Sequence, residues 1–400
     1  MDHIVRGAIA RAQAEMKKVS MPQKPFSGVK PVLAKENAKE KKSNEKGKKK
    51  SSTHSDNDLI EMLEHNRAKI LVIGCGGGGC NTIERIAEVG IEGASTLALN
   101  TDAQDLLTTK SDKKILIGKK LTRGLGAGSD PTVGENAARE SSEEITEVLK
   151  NSDLVFITCG LGGGTGTGSA PVAAEIAKSL KALTVAVVTL PFTVEGKKRM
   201  ENALYGLERL QEFTDTIIVI PNDKILEIAP DLPISAAFKV ADEVLTNAVK
   251  GITEMVTKPG LINLDFADLR TILSRGGAAM IGLGESSRGE SGEARALEAI
   301  ENALTSPLLD VDISGANRAL VNVCGGTDMT LREAELIVET VSTKIHSSSH
   351  VIWGAMVDQN LPKNHIEAMV VIAGGRFPYL EGGKNAKKAG EEIDLGIEFT

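Results

Sequence analysis

The chain has 400 residues, of which 41% are hydrophobic and 25% charged, and its mean hydropathy is −0.07. This composition is typical of a soluble globular protein with room for two domains. No apolar run approaches the roughly 20 residues of a membrane-spanning helix, and the N-terminus lacks the continuous apolar stretch of a secretory signal. The four scattered cysteines form no C-x-x-C pair, so we expect reduced thiols, and we assign no metal ligand.

Charge is distributed unevenly along the chain. Residues 1–58 hold 14 Lys/Arg and 7 Asp/Glu, whereas the whole chain has a net charge of −7, which leaves the rest of the chain at −14. A basic arm on an acidic body is typical of a solvated tail that contacts a membrane surface or nucleic acid. The acidic body argues against a nucleic-acid groove, so we expect no nucleic-acid partner.

Residues 1–57 are predicted to form a flexible basic tail. Helical spacing over residues 1–18 indicates a short amphipathic helix, and its small apolar face favours a partner-binding or frayed helix over a membrane anchor. Residues 19–57 hold three prolines and a lysine-rich run at 39–50. They bury too little apolar surface to offset the loss of chain entropy on folding.

Short apolar runs alternate with helical patterns from residue 58 to residue 233. Continuous hydrophobic strands of this kind are buried on both faces of a parallel sheet. We therefore predict a Rossmann-like α/β domain over residues 58–233. Its strands are predicted at 69–73, 95–99, 114–117, 154–158, 184–189 and 216–220, and its helices at 82–89, 134–149, 170–180 and 197–213.

A long central helix is predicted over residues 234–258, because Pro259 and Gly260 end the helical pattern. The chain then changes character and predicts a smaller α+β domain over residues 259–375. Residues 376–400 are predicted to be a flexible tail with a short apolar docking motif. The strands of the smaller domain are predicted at 278–284, 319–324, 350–357 and 366–372, and its helices at 294–304 and 331–345.

The first glycine-rich loop, residues 74–81, follows a strand and precedes a helix. It satisfies G-x-G-x-x-G at Gly74, Gly76 and Gly79, and the N-terminus of the next helix directs backbone N–H groups toward an anion. The same pattern fits an NAD-dependent oxidoreductase with Asp102 as the acid that binds the ribose. It also fits a tight turn without a ligand, so the first loop alone leaves these alternatives open.

A second glycine-rich loop, residues 159–169, favours a polyphosphate ligand. Its segment 162–168, G-G-G-T-G-T-G, offers a row of backbone donors and two hydroxyl groups. No lysine follows it, so it is not the phosphate loop G-x-x-x-x-G-K-[ST]. An NAD-binding fold has no use for two such loops on adjacent crossovers.

Segment 162–168 resembles the signature of the tubulin/FtsZ superfamily, and the resemblance extends from about residue 66 to residue 375. It implies a filament-forming GTPase of cell division that binds GTP or GDP with Mg²⁺, K⁺ being a further candidate ion. It also implies a cytoplasmic protein in a mid-cell division ring beneath the membrane. A non-hydrolysing regulator that binds GTP and acts on a sister filament is the alternative within the family.

The resemblance assigns the nucleotide contacts to loops at 74–81, 100–104, 124–128, 162–168 and 191–199. It assigns the guanine-reading positions to three residues beyond these loops, Asn222, Phe238 and Asp242. Phe238 is expected to stack on guanine. Asp242 is expected to accept from N1 and N2 of guanine, which adenine cannot match. Cys80 stands where relatives usually carry a small or amide residue. The candidate nucleotide ligands are Gly76, Gly77, Gly78, Asn81, Asn100, Asp102, Ala127, Gly128, Gly162, Gly163, Gly164, Thr165, Gly166, Thr167, Pro191, Glu195, Arg199, Asn222, Phe238 and Asp242.

Asn263, Asp265 and Asp268 are the candidate catalytic residues. From spacing alone, Asp265 fits an N-cap and Asp268 fits position N3 of the next helix. The stretch also resembles the synergy loop of the family, whose carboxylates enter the site of the next subunit and orient the attacking water. The nucleotide loops hold no such carboxylate near the γ-phosphate, which is consistent with a site shared between subunits. Head-to-tail contact of unlike surfaces propagates as an open filament.

The resemblance implies that other copies of this chain are its main partner. Residues 2–8 are similar to the second of the two FtsZ types that many archaea carry, which implies a sister FtsZ as a further partner. The C-terminal residues 396–399 are similar to a short adaptor-docking tail. For that tail the resemblance implies a SepF-like membrane adaptor.

Overall fold

A computed structural model of the chain describes residues 68–228, 233–274, 276–286, 292–309, 313–359 and 361–374. The predictions for the tails, including the N-terminal helix and the C-terminal docking motif, lie outside these ranges. In the part of the chain that the structure describes, no helix has both the length and the apolar character needed to cross a membrane.

Ten strands form one continuous sheet. Their bounds are β1 Ile70–Cys75, β2 Ala94–Asn100, β3 Lys113–Leu116, β4 Leu154–Gly160, β5 Leu183–Leu190, β6 Thr216–Pro221, β7 Gly277–Glu285, β8 Arg318–Gly325, β9 His350–Val357 and β10 Ile366–Ala373. Across the sheet the order is β3-β2-β1-β4-β5-β6-β7-β10-β8-β9. Strands β1 to β7 are parallel to one another, whereas β10 is antiparallel to both β7 and β8.

Helices cover both faces of this sheet. Their bounds are α1 Gly76–Val89, α2 Ala103–Thr108, α3 Pro131–Glu140, α4 Ser142–Leu149, α5 Thr165–Ser179, α6 Lys197–Phe213, α7 Asp223–Ile228, α8 Ile234–Thr257, α9 Phe266–Leu273, α10 Glu293–Leu304 and α11 Leu331–Lys344. Every residue of β1, β5 and β6 is buried. The prediction of a parallel sheet covered on both faces is therefore confirmed.

The two cores of the sheet follow from the alternation of side chains along each strand. Val72 and Phe156 face the core that contains α8, while their neighbours Ile73 and Ile157 face the opposite core. Four adjacent apolar strands supply both cores at once, which is why each strand needs a continuous hydrophobic run rather than an alternating one.

The helices differ from their predicted bounds at the glycine loops. Helices α1 and α5 begin at Gly76 and Thr165, earlier than the predicted starts at 82 and 170, because the loop glycines already adopt helical turns. The helix predicted at 134–149 is two helices separated at Ser141, whose hydroxyl accepts the Gly118 N–H. The short helices α2 and α7 were absent from the prediction.

Helix α8 runs across the sheet and ends near the amino ends of its parallel strands. It has 24 residues and is therefore about 36 Å long. Its C-terminal residue Thr257 donates a hydrogen bond of 2.7 Å to the carbonyl oxygen of Glu92, immediately before β2. Strands β6 and β7 pair over only three residues, from Thr216 to Ile218 on β6. The domain boundaries at 233, 258 and 375 remain predictions.

Candidate functional site

The two glycine-rich loops lie side by side where β1 and β4 end. The side of the sheet formed by the carboxyl ends of the parallel strands is called its carboxyl edge, and the side formed by their amino ends is called the opposite edge. A Cβ atom added to Gly76, whose φ is +70°, would lie 2.6 Å from the backbone nitrogen of Gly166. One added to Gly78 would lie 3.1 Å from the nitrogen of Gly160. The two loops thus pack backbone against backbone, and only glycine allows this approach. Gly77 and Asn81 are exposed on the first turns of α1.

Threonine and asparagine side chains connect the loop after β2 to the same edge. The hydroxyl groups of Thr101 and Thr165 are 2.6 Å apart. Asn100 donates through Nδ2 to Oδ2 of Asp105 at 2.6 Å. Asp102 is occupied as the N-cap of α2, where it accepts from the N–H groups of Gln104 and Asp105. Burial and the neighbouring Asp102 carboxylate raise the pKa of Asp105.

The second glycine-rich loop divides into structural residues and residues that face open space. The buried hydroxyl of Thr167 accepts the Gly162 N–H at 2.9 Å, so it stabilises the loop itself. A Cβ on Gly168 would collide with the carbonyl oxygen of Pro131, because α3 and α5 pack closely here. A Cβ on Gly163 would meet nothing within 4 Å.

The loop before α3 closes over the second glycine-rich loop. Gly124, Gly126 and Gly128 all have positive φ, and a Cβ on Gly128 would meet nothing within 4 Å. The methyl group of Ala127 is buried and would lie 2.9 Å from a Cβ on Gly164. The two loops are therefore in contact.

The segment after β5 is held by its own charged residues. Glu195 accepts the Phe192 N–H through Oε1 at 2.8 Å and forms an ion pair of 2.8 Å with Arg199. The Arg199 side chain is half exposed, so it can change partner when an anion binds. Pro191 is buried against Gly162 of the second glycine-rich loop.

A buried acceptor without a hydrogen-bond partner and a carboxyl group with a raised pKa lie where β6 and α8 reach this edge. Asn222 is buried, and its Oδ1 has no hydrogen-bond partner among the described residues. Burial raises the pKa of Asp242 to about 7, although the charges of Arg85 and Lys239 oppose the rise. A buried acceptor without a partner, such as Asn222 Oδ1, favours a ligand that donates hydrogen bonds.

An aromatic pair lies beside these polar groups. Phe238, on the first turns of α8, remains 39% exposed. Its ring packs against the ring of buried Phe192 in an edge-to-face arrangement, with ring centroids 5.1 Å apart and planes at 87°. The exposed part of the Phe238 ring is available to a planar base, and the contact with Phe192 restricts its orientation.

The three candidate catalytic residues lie at the opposite edge of the sheet. Asp265 caps α9 by accepting the Asp268 N–H through Oδ1 at 2.7 Å, and Asn263 accepts the Gly260 N–H at 2.6 Å. The last residue of α9, Leu273, accepts a hydrogen bond from Thr216, the first residue of β6. Helix α9 therefore ends beside the amino ends of the parallel strands, whereas the glycine-rich loops follow their carboxyl ends. Strands of six to eight residues are about 20–26 Å long.

Two family models match the chain. The GTPase domain of the Tubulin/FtsZ family matches residues 69–230, and the C-terminal domain of the FtsZ family matches residues 277–376. Cell division protein FtsZ 1 of Methanocaldococcus jannaschii is 59% identical over 335 residues, which cover 83% of this chain and 91% of that relative. The chain belongs to the tubulin/FtsZ family.

Other members of the family support the same assignment. Cell division protein FtsZ 1 of Thermococcus kodakarensis is 60% identical over 81% of this chain and 85% of its own length. The empty FtsZ dimer of M. jannaschii has a TM-score of 0.76 and 60% identity over 80% of this chain and 92% of its own. CetZ2 of Haloferax volcanii, in a GTPγS-bound protofilament, has a TM-score of 0.69, covers 81% of this chain and all of its own, and at 22% identity shows the fold alone.

Membership in this family decides between two of the interpretations of the first glycine-rich loop. It makes the protein a GTPase rather than an NAD-dependent oxidoreductase. The two FtsZ relatives bear the name FtsZ 1, so they do not support the second archaeal type that residues 2–8 favoured.

Three residues at the nucleotide edge are additions to the sequence-based set. Asp105 bonds Asn100, Phe192 orients Phe238, and Asn202 donates through Nδ2 to the carbonyl oxygens of Ser129 and Gly162. Asp105 could have been found from the sequence, because it lies three residues after the N-cap Asp102, in the first turn of α2. Asn202 lies inside α6 and carries no comparable signal.

Proposed function

We propose that this GTPase hydrolyses GTP at a site that two copies form together, head to tail, and that the resulting filament builds a division ring. GTP hydrolysis and a function in cell division follow from membership in the family. One observation supports the shared site above all others. The nucleotide loops and the carboxylates of Asp265 and Asp268 lie at opposite edges of the same sheet.

One copy provides the nucleotide pocket. Backbone N–H groups of the two glycine-rich loops bind the polyphosphate, and the partly exposed Arg199 adds a positive charge. Phe238 stacks on guanine, while Asp242 and the buried Oδ1 of Asn222 accept its N–H groups. The carboxylate selects guanine over adenine, because the N1 and C2 positions of adenine offer it no matching donors.

Mg²⁺ fits the oxygen-rich corner beside the first glycine-rich loop. The Oδ2 atom of Asp105, on α2, would lie 3.5 Å from a Cβ atom added to Gly77. Asp102 is the N-cap of α2, so its carboxylate belongs to the same helix as Asp105. Hard oxygen donors of this kind suit Mg²⁺, which usually keeps water ligands and binds phosphate as well. When bound, the ion neutralises charge on the phosphate oxygens. K⁺ is a further candidate ion.

The second copy provides the groups that act on water. Asp265 and Asp268 project from the opposite edge, and Asp265 is exposed in the single chain. Seated against the pocket of the next copy, the two carboxylates orient and polarise a water molecule for in-line attack on the γ-phosphate. Asn263 holds the turn that carries them through its bond to Gly260. The products are GDP and phosphate.

The same geometry supports a filament rather than a closed dimer. The pocket edge of one copy meets the acid edge of the next, so each contact leaves the same two unlike edges free for further copies. The solved relatives include an FtsZ dimer and a CetZ2 protofilament. We further propose a position beneath the membrane at mid-cell, a sister FtsZ as partner, and a SepF-like adaptor bound through the tails.

The concentration dependence of turnover tests the shared site directly. Phosphate release with GTP and Mg²⁺ is measured across protein concentrations, and sedimentation is followed in parallel. Turnover per chain should rise with concentration and level off where the protein sediments. A turnover per chain that stays constant on dilution would contradict the shared site. A protein that binds GTP but releases no phosphate at any concentration would instead support the non-hydrolysing regulator.

Mixing two inactive variants gives a sharper test. Asp265→Ala keeps the pocket but lacks the acid, so it should bind GTP normally and lose at least 90% of turnover. Asp242→Asn keeps the acids but binds guanine poorly. In a mixture, the acids of the second variant meet the GTP-loaded pocket of the first. Activity should therefore recover well above the sum of the two separate activities, and a strictly additive result would exclude catalysis between chains.

A further inference from the structure

A cluster of one histidine and two glutamates lies in the C-terminal part of the sheet, on β7 and β10. Glu285 is the last residue of β7, and Glu367 lies directly opposite it on antiparallel β10. His365 precedes β10 by one residue and Glu367 by two. Since side chains alternate along a strand, His365 and Glu367 project on the same face as Glu285. The register of the sheet therefore brings the three together.

The side chains converge at the distances of a metal site. His365 Nε2 lies 3.8 Å from Glu285 Oε2 and 3.5 Å from Glu367 Oε1, and one donor atom from each of the three residues lies within 4.8 Å of the others. Ligand atoms about 2.0–2.2 Å from a tetrahedral Zn²⁺ are themselves about 3.3–3.6 Å apart. Small side-chain adjustments would thus suffice to place an ion between them.

The burial and charge of the cluster also suit a divalent cation. Glu285 and His365 have side chains that are only 5% exposed, whereas the Glu367 side chain is 39% exposed. Like charges directly opposite each other on antiparallel strands destabilise a sheet, and burial increases their cost. A protonated histidine offsets one carboxylate, whereas a divalent ion offsets both. The exposed side of Glu367 leaves an entry path and room for a water ligand.

We propose that Glu285, His365 and Glu367 bind a divalent transition-metal ion of the Zn²⁺ class. A neutral imidazole with two carboxylates is a donor set that such ions accept. The bound ion ties the end of β7 to the start of β10 and so stabilises the C-terminal part of the sheet. This site uses none of the residues of the proposed GTPase mechanism, so either proposal can fail while the other stands.

Zn²⁺ binding by the nucleotide-free, full-length protein tests the site. The protein is treated with EDTA, dialysed, and titrated with Zn²⁺ by calorimetry at pH 8. We expect one saturable event per chain and a higher thermal midpoint in the presence of Zn²⁺. Glu367→Gln and His365→Gln should each weaken that binding at least tenfold and abolish the rise in midpoint.

The matched control is His350→Gln, which removes an exposed histidine from β9 of the same sheet. It should bind Zn²⁺ like the unmodified protein. Glu367→Gln alters a partly exposed side chain, so it should fold, and circular dichroism checks that it does. The proposal is overturned if the unmodified protein shows no such event, or if Glu367→Gln binds Zn²⁺ as tightly as the His350→Gln control.

Discussion

As the proposed acceptor for guanine, Asp242 would bind its ligand at a cost to the stability of the nucleotide-free protein. Its pKa is about 7 because burial disfavours the carboxylate, compared with 3.8 for an unburied aspartate. Guanine requires the ionised form as an acceptor for two N–H groups. In the nucleotide-free chain this carboxyl therefore has to lose a proton at neutral pH before it can bind.

This proton predicts a pH dependence of GTP affinity. Below pH 7 the free protein carries a neutral Asp242, so affinity should fall by up to about tenfold per pH unit. GTP titrations at pH 6, 7 and 8 measure the effect. Asp242→Asn provides the control, because it retains the titration of the GTP phosphates but lacks the carboxyl group. If the unmodified protein and the variant share one pH profile, Asp242 does not bind guanine as a carboxylate.

The carboxyl group of Asp242 also predicts that stability changes with pH. Stability should fall as pH rises, whereas GTP affinity should increase. The folded pKa of Asp242 lies above its unfolded pKa, so its contribution is complete below pH 4 and is lost as pH rises through 7. Asp242→Asn should therefore stabilise the nucleotide-free protein by about 1–3 kcal/mol at pH 8 and by less at pH 5. Thermal unfolding at the two pH values tests this, and an equal change at both would contradict it.

Among the elements, the second glycine-rich loop combines two roles in one sequence motif. Some of its residues pack against neighbouring structure, and others are left free to contact a ligand. Residues 162–168 predicted a row of phosphate contacts, yet Gly168 allows α3 to pack against α5 and Thr167 closes the loop internally. The sequence shows which positions of the loop carry glycine. It does not show whether the missing side chain makes room for a ligand or for a neighbouring helix, because the neighbour is distant in sequence.

A matched pair of substitutions separates these two roles. Gly168→Ala places a methyl group against the Pro131 carbonyl, so it should lower the free energy of unfolding by about 1–3 kcal/mol. Gly163→Ala faces open space and should leave stability within about 0.5 kcal/mol. It should weaken GTP binding at least fivefold, since the methyl group enters the phosphate region.

Thermal unfolding without nucleotide, followed by GTP titration, measures both effects. Equal destabilisation by the two substitutions would mean that Gly163 is also a packing residue. Unchanged GTP affinity in Gly163→Ala would remove that residue from the candidate nucleotide ligands.

The parallel sheet was predictable because its strands are continuous apolar runs, and the long α8 was predictable because a proline and a glycine end it. The first residues of α1 and α5 were not predictable, since glycine-rich turns that are helical have the same composition as loops. Asn202 and Phe192 were also beyond prediction as site residues. Their contribution depends on contacts with Gly162 and Phe238, which only the folded chain brings near.

For the molecule as a whole, the proposed head-to-tail contact would cover an exposed leucine at the pocket edge. Leu125 is 84% exposed on the loop before α3 and forms an isolated bridge with Asp102. Its burial against the next copy would remove apolar surface from water and so stabilise the contact.

Leu125→Asp should therefore block assembly while GTP binding is retained. Sedimentation with GTP and Mg²⁺ should fall at least fivefold, and turnover per chain should no longer rise with concentration. The control is Leu297→Asp, which alters a 37% exposed leucine on α10 in the C-terminal part of the sheet. Normal sedimentation of Leu125→Asp would mean that this loop lies outside the contact.

The separation of pocket and carboxylates at two edges has a consequence for the ends of a polymer. Under the proposed mechanism, the terminal copy with an uncovered pocket has no neighbour to activate water, so its GTP persists after internal GTP has been converted to GDP. The residual GTP after a single round of hydrolysis would then equal the number of polymer ends of that kind. Nucleotide analysis of a quenched assembly would count filaments and so give their mean length.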